Sequence, residues 1–425
     1  MTLLLALLVL LVSASIAVML AWAGTHTRRA LLVLSTLVLA SGGVLVSVIS
    51  YDDELPIAAV GETLASLDQA LTYHASPSSA STATPLADVA PTVTLESEAF
   101  VPFVTEPVTD AAAFAMPTAF AIGDEGELYV GHSFGISVLR DTTGDGFYDN
   151  REHFGLEAGW IFGLDYYHGA LYAAVAGSVL RLSDRDGDGV ADDIFTLAEG
   201  LPSNLYGGHS NSGLAVGPDG LLYMTVGGTS DHGPELEPLG GTILRMELGG
   251  GEPEIYASGF RNPYDLAFCP DGRLYATDNG PDQQNEVPAN IPWDEVNLIE
   301  AGGRYGYPDY FGPVPSETGT ISPAARVAPS AGITGITCYS GEAYPMEYEG
   351  RLFVTLWGTF TYPVETGRRV MRIDTEETAD GPRGVAVEFA SGVGRPIDIL
   401  QDHGGHLLVL DYENGQIFRI SYAGS

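Results

Sequence analysis

Lysine is absent from this 425-residue chain, so its 18 basic residues are all arginine. Two of them, Arg28 and Arg29, precede residue 51, and residues 51–425 set the other 16 against all 55 acidic residues, a net charge of −39. Such a surface argues against nucleic acid as a partner, because neutralising phosphates takes a basic face. It suits a strongly hydrated secreted surface or a salty habitat. Cysteine is nearly absent too. Cys269 and Cys338 fit no metal or haem-attachment spacing, and outside the cell they either pair or stay free. No Lys or Arg precedes the first apolar run, which argues against a cleaved signal peptide with its basic start.

What is present divides the chain. Apolar runs at residues 2–23 and 30–50 flank Gly24-Thr-His-Thr-Arg-Arg29, and each is long enough to span a bilayer. They predict a two-helix transmembrane hairpin over residues 1–50. The arginines in the turn place that turn in the cytoplasm, and so place the rest of the chain on the extracytoplasmic side of the cell membrane. A cleaved signal followed by one anchor is the alternative. Residues 51–95 predict a linker, with Ser, Ala, Thr and Pro crowded into 74–95. Residues 96–425 form the large domain.

In that domain one phrase recurs six times, Gly-x-Leu followed by Tyr, Phe or Leu, starting at Gly126, Gly169, Gly220, Gly272, Gly350 and Gly405. In five of the six, two apolar residues and an Arg follow, ending at Arg140, Arg181, Arg245, Arg372 and Arg419. Short strands, GPDG-type turns and a period near 50 residues predict an all-β, six-bladed β-propeller. The last blade reads as three strands only, Ile397–Leu400, His406–Leu410 and Gln416–Ser421, leaving an open edge. The apolar stretch Phe100–Val104 is placed to close it. A Pro- and Gly-rich excursion over about 279–330 separates the fourth and fifth phrases, and connections of that length are commonly functional.

Register then locates a site. His209 and Arg261 each lie 11 residues before the glycine of their blade's phrase, and Arg395 lies 10 before. Each enters an inner strand at one mouth of the channel. Loops leaving the second strands return to that mouth: Gly227-Gly-Thr-Ser-Asp-His232, Asp278-Asn-Gly-Pro281 and Trp357-Gly-Thr-Phe360. A histidine, two arginines, carbonyls and an aromatic converge there, and an anionic ligand is implied. Two Asp-rich segments fall on the opposite face. Asp184, Asp186, Asp188 and Asp193, with Gly189 at the turn, have the oxygen-ligand spacing of a calcium loop. Asp141-Thr-Thr-Gly-Asp145-Gly-Phe-Tyr-Asp149 is a weaker version.

The segments HSNSGLAVGPDG (209–220), GFRNPYDLAF (259–268), DNGPD (278–282) and DEVNLIEAGGRYGYP (294–308), with LWGTF (356–360) and GRPIDIL (394–400), resemble the quinoprotein glucose/sorbosone dehydrogenase family, closer to its sorbosone-type branch. Members are six-bladed propellers that use pyrroloquinoline quinone (PQQ) with calcium. The resemblance covers about residues 115–422. It implies that His209 is the base and that Arg261 and Asn262 hold PQQ. Arg395 would pair with a PQQ carboxylate, and Trp357 is a further cofactor-binding candidate. The carbonyls of Gly280 and Pro281 would bind the catalytic calcium, and Glu295 with the Tyr305 carbonyl a structural one. Three departures stand out. The lysine of soluble sugar-oxidising members is missing, their second C-terminal arginine corresponds to Ile397, and Gly228 stands where an acid is usual, with Asp231 nearby.

The expectation is a membrane-anchored, extracytoplasmic dehydrogenase acting on a sugar, polyol or related aldehyde. A membrane quinone or an external electron carrier would take the electrons, since no haem motif is present. A non-catalytic propeller binding a glycan or protein, and a calcium-dependent lactonase, are the alternatives.

Overall fold

The computed structural model describes residues 38–40, 43–45, 103–156, 160–203, 209–230, 233–281, 293–312, 314, 318–359, 366–379 and 381–424. The chain divides into two compact units, Met1–Leu95 and Glu96–Ser425. In the first, β1 (Val38–Ala40) pairs antiparallel with β2 (Gly43–Leu45), both inside the second apolar run. The rest of the expected hairpin, and the linker, lie outside the described residues. Among the described residues no helix is long and apolar enough to cross a membrane.

The second unit is six four-stranded antiparallel blades. Blade one is β4 (Ala119–Ile122), β5 (Leu128–His132), β6 (Gly135–Arg140) and β7 (Asn150–Gly155). Blade two is β8 (Ile161–Tyr167), β9 (Ala170–Val175), β10 (Ser178–Ser183) and β11 (Asp193–Glu199). Blade three is β12 (Asn211–Val216), β13 (Leu221–Val226), β14 (Thr242–Glu247) and β15 (Glu254–Ser258). Blade four is β16 (Pro263–Phe268), β17 (Leu274–Asp278), β18 (Asp294–Ile299) and β19 (Ala325–Val327). Blade five is β20 (Ile333–Cys338), β21 (Leu352–Leu356), β22 (Arg369–Thr378) and β23 (Gly381–Ser391). Blade six takes β24 (Pro396–Gln401), β25 (Leu407–Asp411) and β26 (Gln416–Tyr422) from the C-terminus and β3 (Phe103–Pro107) from the other end of the domain. The closing strand thus comes from the stretch expected from sequence, and residues 100–102 are outside the described set.

The repeated phrase explains why blades form. All six of its glycines have positive φ, between 73° and 88°, as the turn into the second strand requires. The following Leu or Tyr alternate between the two faces of the sheet, and in a propeller both faces are buried. Leu128 faces the core shared with blade six and Tyr129 the core shared with blade two. Six such cores result, one at each blade boundary.

Polar staples add to these cores around the inner strands. Asp165, Asp265 and Asp398 sit on β8, β16 and β24 and line one central cavity of about 240 Å³. Each accepts an amide from the next blade: Asp165 from Val216 (2.7 Å), Asp265 from Ile336 (2.9 Å) and Asp398 from Phe120 (3.0 Å). Burial pushes the carboxyls of Asp165 and Asp265 up to about 7. It drives Asp398 well above the usual range, helped by the charge of Asp265.

Two expectations are corrected or resolved here. The excursion over 279–330 is not one loop, because it contains β18 and β19. Val296, buried within β18, packs into the core between blades four and five. The Pro and Gly around these strands conceal them in the sequence. Cys269 and Cys338, at the ends of β16 and β20, are joined as a disulfide between neighbouring blades.

Candidate active site

Buried carboxylates shape the channel mouth from beneath. Asp278, the last residue of β17, accepts the amides of Asn262 (2.8 Å) and Arg261 (3.2 Å), and so fixes the backbone entering β16. Asp411, the last residue of β25, does the same for Arg395 (2.8 Å). Asp294, the first residue of β18, accepts the amides of Gly280 (3.0 Å) and Ile333 (3.2 Å). The sequence reading had not assigned roles to these three. A signal was available: Asp278 and Asp411 each lie six residues after the phrase glycines Gly272 and Gly405.

His209, Arg261 and Asn262 are all buried. The imidazole Nδ1 of His209 is 2.7 Å from the carbonyl of Gly228. A carbonyl only accepts, so Nδ1 carries the proton and Nε2 of the neutral ring is the basic nitrogen. Gly227 is a forced glycine: a Cβ there would lie 2.7 Å from Asn262 Oδ1 and 3.0 Å from His209 Cβ. Both side chains therefore lie close against the Gly227 backbone. Asn262 Oδ1 is buried and has no hydrogen-bond partner among the described residues. Arg261 Nη1 donates to the carbonyls of Gly280 (3.1 Å) and Asn279 (3.3 Å).

Arg395 and Trp357 form a second cluster. The guanidinium lies 4.3 Å from the indole centroid and donates to the Trp357 carbonyl (3.3 Å). The two clusters are joined through the backbone. Asn279 Nδ2 donates to Ile333 (2.8 Å), and the Trp357 amide to the neighbouring Gly332 (2.8 Å). Ile397 is buried in the core between blades six and one, so the expected second arginine has an apolar replacement.

Of the expected calcium ligands, Gly280 and Pro281 lie beside Arg261, and the Gly280 carbonyl already accepts from it. Glu295 is buried and accepts the Gly312 amide and Asn297 Nδ2. Burial pushes its carboxyl up to about 7. Asn297 Oδ1 beside it is buried without a partner among the described residues. The Tyr305 ring stacks on Phe260 at 4.6 Å. Asp231 lies outside the described residues.

On the far face, carboxylate oxygens of Asp184, Asp186 and Asp188 lie within 4.8 Å of one another. Asp193 lies outside this group; its carboxylate pairs with Arg185. The loop over 141–149 has the same internal donors as the loop over 184–192: Asp141 accepts the amides of Gly144 and Gly146 and Asp149 that of Thr142, as Asp184 accepts those of Gly187 and Gly189 and Asp192 that of Arg185. No metal-capable cluster forms over 141–149 among the described residues.

Residues 166–419 match a family model described as Glucose / Sorbosone dehydrogenase. An uncharacterised protein of Borreliella burgdorferi is 29% identical over 254 residues, 54% of this chain and 64% of that protein. Quinoprotein glucose dehydrogenase B of Acinetobacter calcoaceticus is 32% identical over 148 residues, 27% of this chain and 29% of that enzyme. The chain thus covers less than two thirds of the length of either relative. Among solved structures, the PQQ-bound aldose sugar dehydrogenase of Streptomyces coelicolor has the same fold, with a TM-score of 0.57 at 22% identity over 76% of this chain and 98% of that one. The PQQ domain of pyranose dehydrogenase from Coprinopsis cinerea gives 0.61 at 15% identity over 76% and 96%. Since the matched span exceeds half of its length, this chain belongs to the glucose/sorbosone dehydrogenase family.

Proposed function

We propose that the propeller is a PQQ- and calcium-dependent dehydrogenase that oxidises a sugar, a polyol or a related aldehyde. It would be held at the cell membrane by residues 1–50, with the domain on the extracytoplasmic side. The observation that carries this reading is the cluster of His209, with its tautomer set by Gly228, against Arg261 and the unpartnered Asn262 Oδ1. A buried amide oxygen left without a donor costs about 1–3 kcal/mol, so its presence beside a cation and a base favours a polar ligand. The residues fit the cofactor: two guanidiniums for carboxylates, an indole wall and hard carbonyl donors for calcium.

In this reading His209 Nε2 takes the substrate hydroxyl proton. The carbinol C–H bond breaks with its electron pair only as that proton leaves, and neutral imidazole accepts it near neutral pH. PQQ, when bound, supplies the electron sink. Arg261 and Arg395 would take its carboxylates, with Trp357 as an apolar wall beside Arg395. The carbonyls of Gly280 and Pro281 would hold calcium, and the two lone pairs of Gly280 allow it to serve Arg261 as well. A membrane quinone or external carrier would then receive the electrons.

Adding PQQ and Ca²⁺ to the purified full-length chain should give dye reduction with some member of a sugar panel. Absence of PQQ binding at micromolar cofactor overturns the proposal in favour of a non-catalytic glycan- or protein-binding propeller. Lactone hydrolysis that needs Ca²⁺ and not PQQ would favour the lactonase alternative, which the amide-capping roles of Asp278 and Asp294 count against. The anchor is tested separately. Protease added to intact cells should release the domain by cutting within 74–95, and digestion only after lysis would reverse the orientation.

A further inference from the structure

We infer that Glu235 is a positioning residue for His209, acting by fixing the orientation of the peptide plane between Gly228 and Thr229. The assignment rests on His209 being the base. The carbonyl that receives His209 Nδ1 belongs to Gly228, and the N–H of that same planar peptide belongs to Thr229. In a trans peptide the two point in opposite directions. The Thr229 N–H donates to Glu235 Oε2, so the carboxylate holds one end of the plane and His209 meets the other.

The plane needs such a hold. Gly228 has no side chain to restrict it, and glycine tolerates backbone conformations that other residues avoid. Its own amide is tied to the Arg261 carbonyl at 2.7 Å, and that of Gly227 to the Ser210 carbonyl at 2.8 Å. Those bonds hold the chain as far as the Gly228 nitrogen, one bond short of the peptide that faces His209. Beyond it, Glu235 takes the Thr229 hydroxyl as well, the Ser230 amide at 3.4 Å, and the amides of Leu236 (2.8 Å) and Glu237 (2.9 Å). Tyr307 OH donates to the Ser230 carbonyl at 3.1 Å and braces the turn from outside. Burial pushes the Glu235 carboxyl up, but the donors of Glu237, Thr229, Leu236 and Ser230 outweigh it and hold it below its ordinary value. It therefore stays an all-acceptor group, which is what these donors require.

The chemical consequence concerns the tautomer. If the plane turned over, Nδ1 of His209 would face an N–H instead of a carbonyl. Nδ1 would then have to accept, the ring proton would move to Nε2, and the nitrogen that takes the substrate proton would be blocked. Glu235 touches neither substrate nor cofactor in this scheme. It keeps the base in the form that can act.

The test starts with the native full-length chain, ¹⁵N-labelled at histidine, without cofactor or substrate, with the His209 signals identified by their loss in His209→Ala. The expected signature is protonated Nδ1 with unprotonated Nε2, together with a Thr229 amide protected from exchange. A native His209 protonated at Nε2, or an unprotected Thr229 amide, overturns the inference without any variant at position 235. In Glu235→Gln the carboxamide turns a donor toward donors. The tautomer should become mixed, and kcat should fall about tenfold or more while KM and PQQ affinity change less than about threefold. Glu235→Asp should recover part of both. A folded Glu235→Gln protein with the native tautomer and native kcat refutes the role. If PQQ fails to bind at all, the dehydrogenase reading falls, whereas the tautomer measurement still decides on Glu235.

Discussion

Blades one and two have the same strand plan as blades three and four, yet they extend opposite ends of it. At the mouth, the second strand of blades one and two turns into the third through residues 133–134 and 176–177. In blades three and four the same connections run over 227–241 and 279–293. On the far face, blades one and two carry the Asp-rich connections over 141–149 and 184–192, while blade three makes do with 248–253. Blade four has a long connection there as well, but it returns upward. Gly302 and Gly303 pair with Tyr256 and Ser258 along β15, and Tyr307 reaches Ser230 at the mouth. The inner architecture is therefore interchangeable, and the character of each blade depends on which turn is lengthened. Lengthened toward the mouth, it sets carbonyls against a base and a cation that precede the inner strands. Lengthened away, it gathers mainly carboxylates, with Arg185 among them.

The comparison breaks if substitutions at the mouth of blades three and four leave turnover alone. The largest effect should come from His209→Ala, a loss of about a hundredfold or more in kcat at saturating cofactor, with PQQ binding nearly intact. Steady-state kinetics alongside a binding titration reads both. Arg261→Ala should act on the other quantity, weakening PQQ binding by about 2–3 kcal/mol through loss of a charge-assisted contact. Equal effects of the two variants on binding and on turnover would erase the division of labour between base and cofactor clamp.

The central belt should respond to pH rather than to ligand. Asp165 and Asp265 have carboxyls raised to about 7 in the folded protein from an ordinary 3.8. Between those values the unfolded chain ionises and the folded one keeps its proton. Stability is therefore fully present below about pH 4 and lost as pH rises toward 7, at up to ~1.4 kcal/mol per pH unit for one group. The melting temperature should rise as the buffer is lowered from pH 8 to pH 5. Asp165→Asn keeps the acceptor for Val216 and should flatten that slope. An unchanged slope would leave general charge repulsion in this acidic chain as the cause.

The smallest effect belongs to the far face. Replacing Asp186 and Asp188 by Ala should lower the melting temperature in Ca²⁺ by a few degrees, on the order of 1 kcal/mol, and leave kcat unchanged. Identical melting with and without the substitutions, in Ca²⁺ and in chelator alike, would make the loop a plain acidic turn.

The propeller was legible because one turn geometry is reused six times, and glycine is required wherever it occurs. The address of the mouth was legible for a related reason: His209, Arg261 and Arg395 occupy near-equivalent positions relative to those glycines. Blade four hid its outer half, because its third strand lacks the arginine that follows two apolar residues in the other five. The aspartates of the belt were not read at all. They recur in every second blade, at Asp165, Asp265 and Asp398, and a pattern at twice the repeat is invisible when blades are compared one to the next. Glu235 was missed for a different reason. The resemblance directs attention to the acid expected at position 228, while a Cβ placed on Gly228 would lie 2.8 Å from the carboxylate oxygen of Glu235.

The ring is closed by β3, whose residues Phe103–Pro107 pair with Tyr422–Phe418 of β26. During synthesis these partners are separated by more than 300 residues, roughly 15–60 s of elongation. The propeller strand made first is thus the last to be paired. For that interval the nascent chain carries an unpaired β edge at its leading end, with no local partner to protect it. Loss of residues 416–425 would remove the whole of β26 and, with it, the only seat for β3 among the described strands. A chain cut before Gln416 would thereby deprive both β25 and β3 of their partner and leave the sixth blade with two strands.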